Sequence, residues 1–413
     1  MPNLPLDIIK EILLRLPVKS LLRFRCVSQD WRCLISGDSF FISMYHNRSI
    51  EKNPSSLILI DTKNNFYTVV DNSCHKLLFD EDDMPFFLTT SSCNIELGGN
   101  NNDYRRRNIK VVDSCNGLLC FTYSKGRISY SDLIYLLNPA TRELKELPPH
   151  PNSYSSPFCE IFFNSFGSTR IGFGFDPMSK DYKVVKLVNC IEHGHVWVYS
   201  LNSDNWRKLG GDIPIQVPKQ LFVHPKSRKT PVVNAAIHWM VSSGEIYLFD
   251  LVHEVFRELP PPPTPGKRRG YSKDILVMGG CLSVFFDCVL KENSTAYKIE
   301  IWMMKEYGVK ESWTKQLIVF NSHPFDYYFP LVYGWECTPL EFWNDDDQIL
   351  FEKSGGGNQL ILYNTRTKTT KWNLGIRGLP HVFTAFTHAE TLVMLNQGCR
   401  EWPVTTEEKG TLA

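Results

Sequence analysis

Near residue 50 the spacing of apolar side chains changes, and no other feature restricts the fold of this chain as strongly. Before that point Ile8, Ile9, Ile12, Leu13 and Leu16 recur at helical spacing. From about Pro54 the period is two, and clusters of Gly, Pro, Asn and Asp break the apolar runs into strand lengths. The expected fold is therefore α+β and multidomain: a small all-α head on a large all-β body.

The body repeats. An apolar strand containing Gly or another small residue appears in Asn116–Phe121, Ile171–Phe175, Ala235–Trp239 and Gly279–Val284. A strand–turn–strand unit ending in a bulky residue runs from Ile134 to Leu144. It returns from Val196 to Trp206, Ile246 to Phe256, Ile299 to Trp313 and Leu360 to Trp372. These hairpins recur every ~50 to 60 residues, a blade-like spacing. One such sheet cannot bury both faces, but a ring of them can, leaving only short edges. Leu57 to Phe79 supplies strands for a sixth blade and Phe383 to Leu395 is placed to close the ring, so the expected form is a six-bladed propeller. An irregular β-sandwich or an open array of hairpins is the competing arrangement.

In the head, Pro5 suits a first helical turn and Pro17 is expected to stop that first helix. A second helix is expected from Lys19 to Arg25, a third from the capping residue Ser28, carrying Trp31, Leu34 and Ile35, and a fourth from Ser39 to His46. So short a module is unusually apolar, and such modules bury their surface against a partner. The expected organisation is a head over 1–48, a β domain over 54–398 and a tail over 399–413.

Composition narrows the class. With 45 basic and 44 acidic residues the formal charge is +1, which offers no electrostatic footprint for nucleic acid. Asp7, Lys10 and Glu11 interrupt the apolar positions at the N-terminus, so no signal peptide is expected, and no apolar run is long enough for a transmembrane helix. The 12 cysteines are scattered without a CxxC pair and read as reduced thiols. These features place the chain in the cytosol, the nucleus or both, away from membranes.

The run from Leu4-Pro5-Leu6-Asp7-Ile8-Ile9 through Leu16-Pro17-Val18-Lys19-Ser20-Leu21-Leu22 to Cys26-Val27-Ser28-Gln29-Asp30-Trp31 closely resembles the plant F-box. Later segments resemble the plant F-box-associated, kelch-like domain. They are Ser114-Cys115-Asn116-Gly117-Leu118, Leu137-Asn138-Pro139-Ala140-Thr141, Gly174-Phe175-Asp176-Pro177, Asp181-Tyr182-Lys183-Val184-Val185 and Val198-Tyr199-Ser200-Leu201. The family includes F-box/kelch-repeat and self-incompatibility-locus types, with roles that extend to turnover of immune receptors.

The resemblance implies the substrate-recognition subunit of a Skp–cullin–F-box ubiquitin ligase, without catalysis or cofactor of its own. The F-box docks on a Skp-family adaptor, which bridges to cullin and RING subunits, and the β domain holds a target protein for degradation. Carried over by motif position, the docking residues are Leu4, Pro5, Ile8, Ile12, Leu13, Leu16, Pro17, Val18, Leu21, Leu22, Cys26, Val27 and Trp31. Some of these must be internal packing of the head. Target-contact candidates are the segments 80–85, 100–107, 153–157, 260–270 and 323–328, with Tyr327, Tyr328 and Phe329 of hot-spot type.

Motifs for chemistry are missing from the sequence. No GxxxxGK[ST], GxSxG or HExxH occurs, and Cys190, His193 and His195 have no second ligand pair at zinc spacing. Arg105–Arg107, Lys267–Arg269 and the acidic runs Asp80–Asp83 and Asp345–Asp347 read as solvated loops or turns. Two other functions compete: a propeller enzyme with its site on the ring axis, and an F-box scaffold outside any ligase. An unpartnered helical head argues against the first.

Overall fold

The computed structural model describes residues 5–51, 56–61, 65–71, 86–94, 108–124, 133–149, 169–189, 194–210, 217–218, 221, 229–241, 243–263, 273–289, 297–320, 337–343, 347–353, 358–371, 380–395 and 400–401. Four helices open the chain. α1 spans Leu6–Leu13 behind Pro5, whose φ of −54° needs no adjustment to start a helix. It ends earlier than expected. Residues 14–16 form a turn in which the Arg15 and Leu16 amides donate to the Ile12 and Leu13 carbonyls. Pro17 instead stands at the start of α2, Val18–Phe24. A proline disfavours helical backbone in the residue before it, so the helix must stop upstream of Leu16.

α3 spans Gln29–Gly37, and the Ser28 hydroxyl accepts from the Trp31 amide at 3.1 Å, the expected cap. α4 spans Ser39–Glu51, past the expected end at His46. Its start is fixed by the Asp38 carboxylate, which accepts from the Phe40 and Phe41 amides at 2.9 and 3.1 Å. Those amides hold the Asp38 carboxyl below its ordinary range.

The rest of the described chain is β. The first sheet holds β1 (Ser56–Asp61), β2 (Asn65–Asp71) and β3 (Phe86–Asn94). The second holds β4 (Asn108–Cys115), β5 (Leu118–Ser124), β6 (Leu133–Asn138) and β7 (Glu143–Glu146). The third holds β8 (Thr169–Asp176), β9 (Asp181–Asn189), β10 (Gly194–Ser200) and β11 (Asn205–Lys208). The fourth holds β12 (Val232–Val233), β13 (Ala236–Met240), β14 (Ile246–Asp250) and β15 (Phe256–Leu259). The fifth holds β16 (Lys273–Met278), β17 (Cys281–Val289), β18 (Tyr297–Met304) and β19 (Trp313–Phe320). The sixth holds β20 (Cys337–Trp343), β21 (Gln348–Lys353), β22 (Gln359–Asn364) and β23 (Thr370–Lys371).

Each of these sheets is an antiparallel meander, and two late strands complete the set. β24 (Phe383–His388) joins the first sheet beside β1, in register from Ser56↔His388 to Asp61↔Phe383. β25 (Arg400–Glu401), within the segment read as a tail, pairs with the edge of β7. The innermost strands meet in cyclic order, with β24 touching both β4 and β20. The result is a closed six-bladed β-propeller, fastened by the last long strand as the position of Phe383–Leu395 led one to expect.

Blades pack face to face through apolar layers. Val184, Tyr199 and Trp206 lie against the second blade, while Val185, Leu187 and Val198 lie against the fourth. The small residues of the repeat fit this closeness. A Cβ on Gly172 would sit 2.6 Å from Ile237 Cγ2, so the Ile237 and Trp239 side chains of the fourth blade fill the space a side chain would need. Lys183 ties the third and fourth blades. Its ammonium donates to Asp176, to the Leu251 carbonyl and to Glu254, at 2.8, 2.8 and 3.0 Å.

The turns repeat as well. The side-chain oxygens of Asn138, Asp176, Asp250 and Asn364 each accept from the amides two and three residues ahead. Four residues after each of them the backbone is left-handed, at Arg142, Lys180, Glu254 and Lys368. An Asx side chain mimics the backbone of a turn and holds it closed.

Candidate functional site

The head divides into an inward and an outward surface. Leu13, Leu14, Val18, Leu21, Leu34, Ile35, Phe41 and Tyr45 form its core, joined by Leu392 from the far end of the chain. The Tyr45 hydroxyl donates to the Leu16 carbonyl at 3.1 Å, and Phe24 meets Trp31 edge to face at 5.4 Å.

Outward, α1 presents Leu6, Ile8 and Ile12 at 58%, 47% and 49% exposure. Ile8 and Ile12 are four residues apart and so lie on one face. They share a shallow depression of about 400 Å³ with Asp7, Glu11 and Arg15. Glu11 pairs with Arg15 at 3.7 Å and with Arg48 at 3.5 Å. Val27 and Phe40 add further exposed apolar surface at 64% and 66%. Aliphatic side chains held on a rigid helix, rimmed by charges of both signs, have the anatomy of a protein interface.

The residues expected to dock therefore separate by position. Pro5, Ile8, Ile12, Pro17, Cys26 and Val27 are exposed, while Leu16, Leu22 and Trp31 are half-buried. Leu13, Val18 and Leu21 lie in the head's own core, because the helices turn those faces toward each other and toward Leu392. Leu4 lies outside the described residues, as do Tyr327, Tyr328, Phe329, Cys190, His193 and most of the candidate loops. Phe40 was missed by the sequence reading; Asp38 as a cap two residues earlier was the available signal for the phase of α4.

Other chemistry is sparse among the described residues. No group of three or more His, Cys, Asp or Glu is arranged to hold a metal. Burial pushes the Cys115 thiol up to about 12, and the Cys120 thiol well above its ordinary value. Such thiols stay protonated and are poor nucleophiles. No described helix is long and apolar enough to cross a membrane.

A helical module with an uncovered apolar surface, seated on a closed ring of blades, defines a two-part binding protein. The F-box domain family matches residues 1–43, and the F-box associated beta propeller domain family matches residues 56–374. The chain belongs to the F-box proteins with an F-box-associated β-propeller. An F-box/kelch-repeat protein of Arabidopsis thaliana is 30% identical over 329 residues, covering 77% of this chain and 79% of its own length. An F-box protein of the same plant is 28% identical over 434 residues, covering 94% and 91%. F-box protein CPR1, also from Arabidopsis thaliana, is 28% identical over 424 residues, covering 97% and 90%.

Proposed function

We propose that this chain is the substrate-recognition subunit of a Skp–cullin–F-box ubiquitin ligase. The head binds a Skp-family adaptor, and through it cullin and RING subunits, while the propeller holds a target protein for ubiquitination. The observation that carries this reading is the exposed Ile8 and Ile12 pair on one face of α1, inside the F-box match. The docking surface is formed by Pro5, Ile8, Ile12, Pro17, Cys26 and Val27, with Leu16, Leu22 and Trp31 at its margin. Leu13, Val18 and Leu21 support it from beneath.

Topology favours one face of the ring for the target. The head packs near Ala140 and Leu392, at the ring end that carries the β4–β5 and β6–β7 turns. Connections from the last strand of each blade to the first of the next leave from the opposite end. In chain order 100–107, 153–157, 260–270 and 323–328 fall between the last strand of one blade and the first of the next, whereas 80–85 falls between β2 and β3. A target on the far face leaves the head free to hold the adaptor. The protein acts in the cytosol, the nucleus or both, and supplies binding, not bond-making.

The test is the variant I8D/I12D in the full chain. Each position loses an aliphatic anchor and puts a charge into the interface, and about 2–4 kcal/mol of lost binding lowers affinity by roughly thirty- to a thousandfold. Adaptor capture should disappear while the β circular dichroism of the propeller stays unchanged. Undiminished capture by the folded variant would remove the basis for the reading.

A further inference from the structure

The segment 389–395 follows β24 and carries no regular secondary structure, yet none of its residues is exposed. Glu390, Leu392 and Met394 face the head. The Glu390 carboxyl lies by the Val18 amide, which lowers its pKa against the effect of burial, at the start of a helix whose Pro17 cap has no side-chain acceptor. Leu392 is 2% exposed within the head's core. Met394 Sδ accepts from Arg25 Nη1 at 3.5 Å.

The alternate residues face the second blade. Asn138 Nδ2 donates to the Thr391 and Val393 carbonyls at 3.1 and 2.8 Å, while its Oδ1 holds the Ala140 and Thr141 amides. The Leu395 amide donates to Glu143 at 2.9 Å, and its side chain lies in the core between the second and third blades. Thr391 passes over Gly117, whose φ is +81°; a Cβ there would lie 2.6 Å from Thr391 and 2.7 Å from the Ala389 carbonyl. An extended segment sends successive side chains to opposite sides, so one strap bonds both bodies at once.

The strap is continuous with the strand that fastens the ring. β24 ends at His388, which pairs with Ser56, only five positions after the last residue of α4. Leu392, a member of the head's core, lies four residues beyond that pairing. We propose that residues 389–395 make the ordered pose of the head conditional on ring closure, so that a chain with an open ring does not hold its head against the propeller. The surface of α1 then points in a fixed direction relative to the blades only in a completed molecule.

Hydrogen exchange of the full chain decides this, and it needs no adaptor, so it stands apart from the functional reading. In Leu392→Asp, and in the milder Leu392→Ala, amides of α2 and α4 should exchange roughly tenfold or more faster while β17, β18 and β19 keep their protection. A third variant opens the ring and leaves the strap sequence intact. The Ala385 amide bonds Glu352, so the Thr384 amide faces β1, and Thr384→Pro removes a bond of that ladder. It should free the head as the Leu392 variants do. Unchanged exchange in α2 and α4 in either Leu392 variant would overturn the proposal. So would a head that stays protected when Thr384→Pro has released the β24–β1 amides. Equal acceleration of head and β17–β19 in Leu392→Ala would show the strap to be ring structure alone and would overturn it too.

Discussion

At the scale of single residues, the interior is set to favour a neutral pH. His238 is fully buried on β13, with Nδ1 3.0 Å from the Pro231 carbonyl and Nε2 2.7 Å from the Tyr307 hydroxyl. A carbonyl only accepts, so Nδ1 carries the proton and Nε2 accepts from Tyr307. Burial lowers the pKa of His238 to about 4. His388 lies beside His46 where the head meets the ring, with Asn116 next to His46. Burial and the neighbouring ring lower His388 to about 3, and burial lowers His46. These groups bind a proton more readily unfolded than folded. Their contribution is complete above the unfolded value of about 6.5 and is lost as pH falls toward the folded values. Asp113 opposes them: burial raises it to about 6, so its neutral form gains as pH falls. Glu390, raised by burial, opposes them as well, but the three histidines dominate, so stability should fall between pH 7 and pH 5. Denaturant midpoints across that range should fall with acid, less steeply in His238→Gln; midpoints that stay level or rise would contradict the assignment.

At the scale of elements, the repeated turn is the clearest case of local sequence acting alone. Asn138, Asp176, Asp250 and Asn364 could be found in the sequence as polar residues closing apolar strands. Their consequence, a left-handed residue four positions later, is visible only in the backbone. Lys368, at φ 59°, is exposed and in this conformation. A side chain costs energy there and glycine does not, so Lys368→Gly should stabilise by about 0.5–1 kcal/mol, read as a higher thermal midpoint. A lower midpoint would mean that the side chain contributes more than its backbone strain costs. Pro17 shows the opposite limit. The residue promised a helix break, but that it also begins α2, with the Leu16 carbonyl beside it accepting from Tyr45 of α4, is visible only in the structure.

At the scale of the whole molecule, the proposed function asks only for proximity. Holding a target near a loaded enzyme raises effective concentration without a nucleophile in the holder. A transferase that forms a thioester with ubiquitin needs a cysteine thiolate, and burial of Cys115 and Cys120 disfavours one. Replacing each of the 12 cysteines with Ser or Ala in a reconstituted ligase should therefore leave ubiquitin transfer intact wherever folding and both binding steps survive. A folded, binding-competent variant without transfer would assign chemistry to this chain.

The period of two, the hairpin repeat and the helical head were determined by the order of residues, because period and turn chemistry act over a few positions. Ring closure by β24 and the burial of Leu392 among α1, α2 and α4 were decided only by the tertiary structure. Residues more than 300 positions apart come together there, and nothing local marks them. The same holds for the exposed face of α1. Ile8, Ile12 and Leu13 are alike in the sequence, all aliphatic and all at helical spacing. Which of them stays exposed was settled by where the other helices and the strap lie, since each aliphatic side chain the protein can cover itself is withdrawn from water.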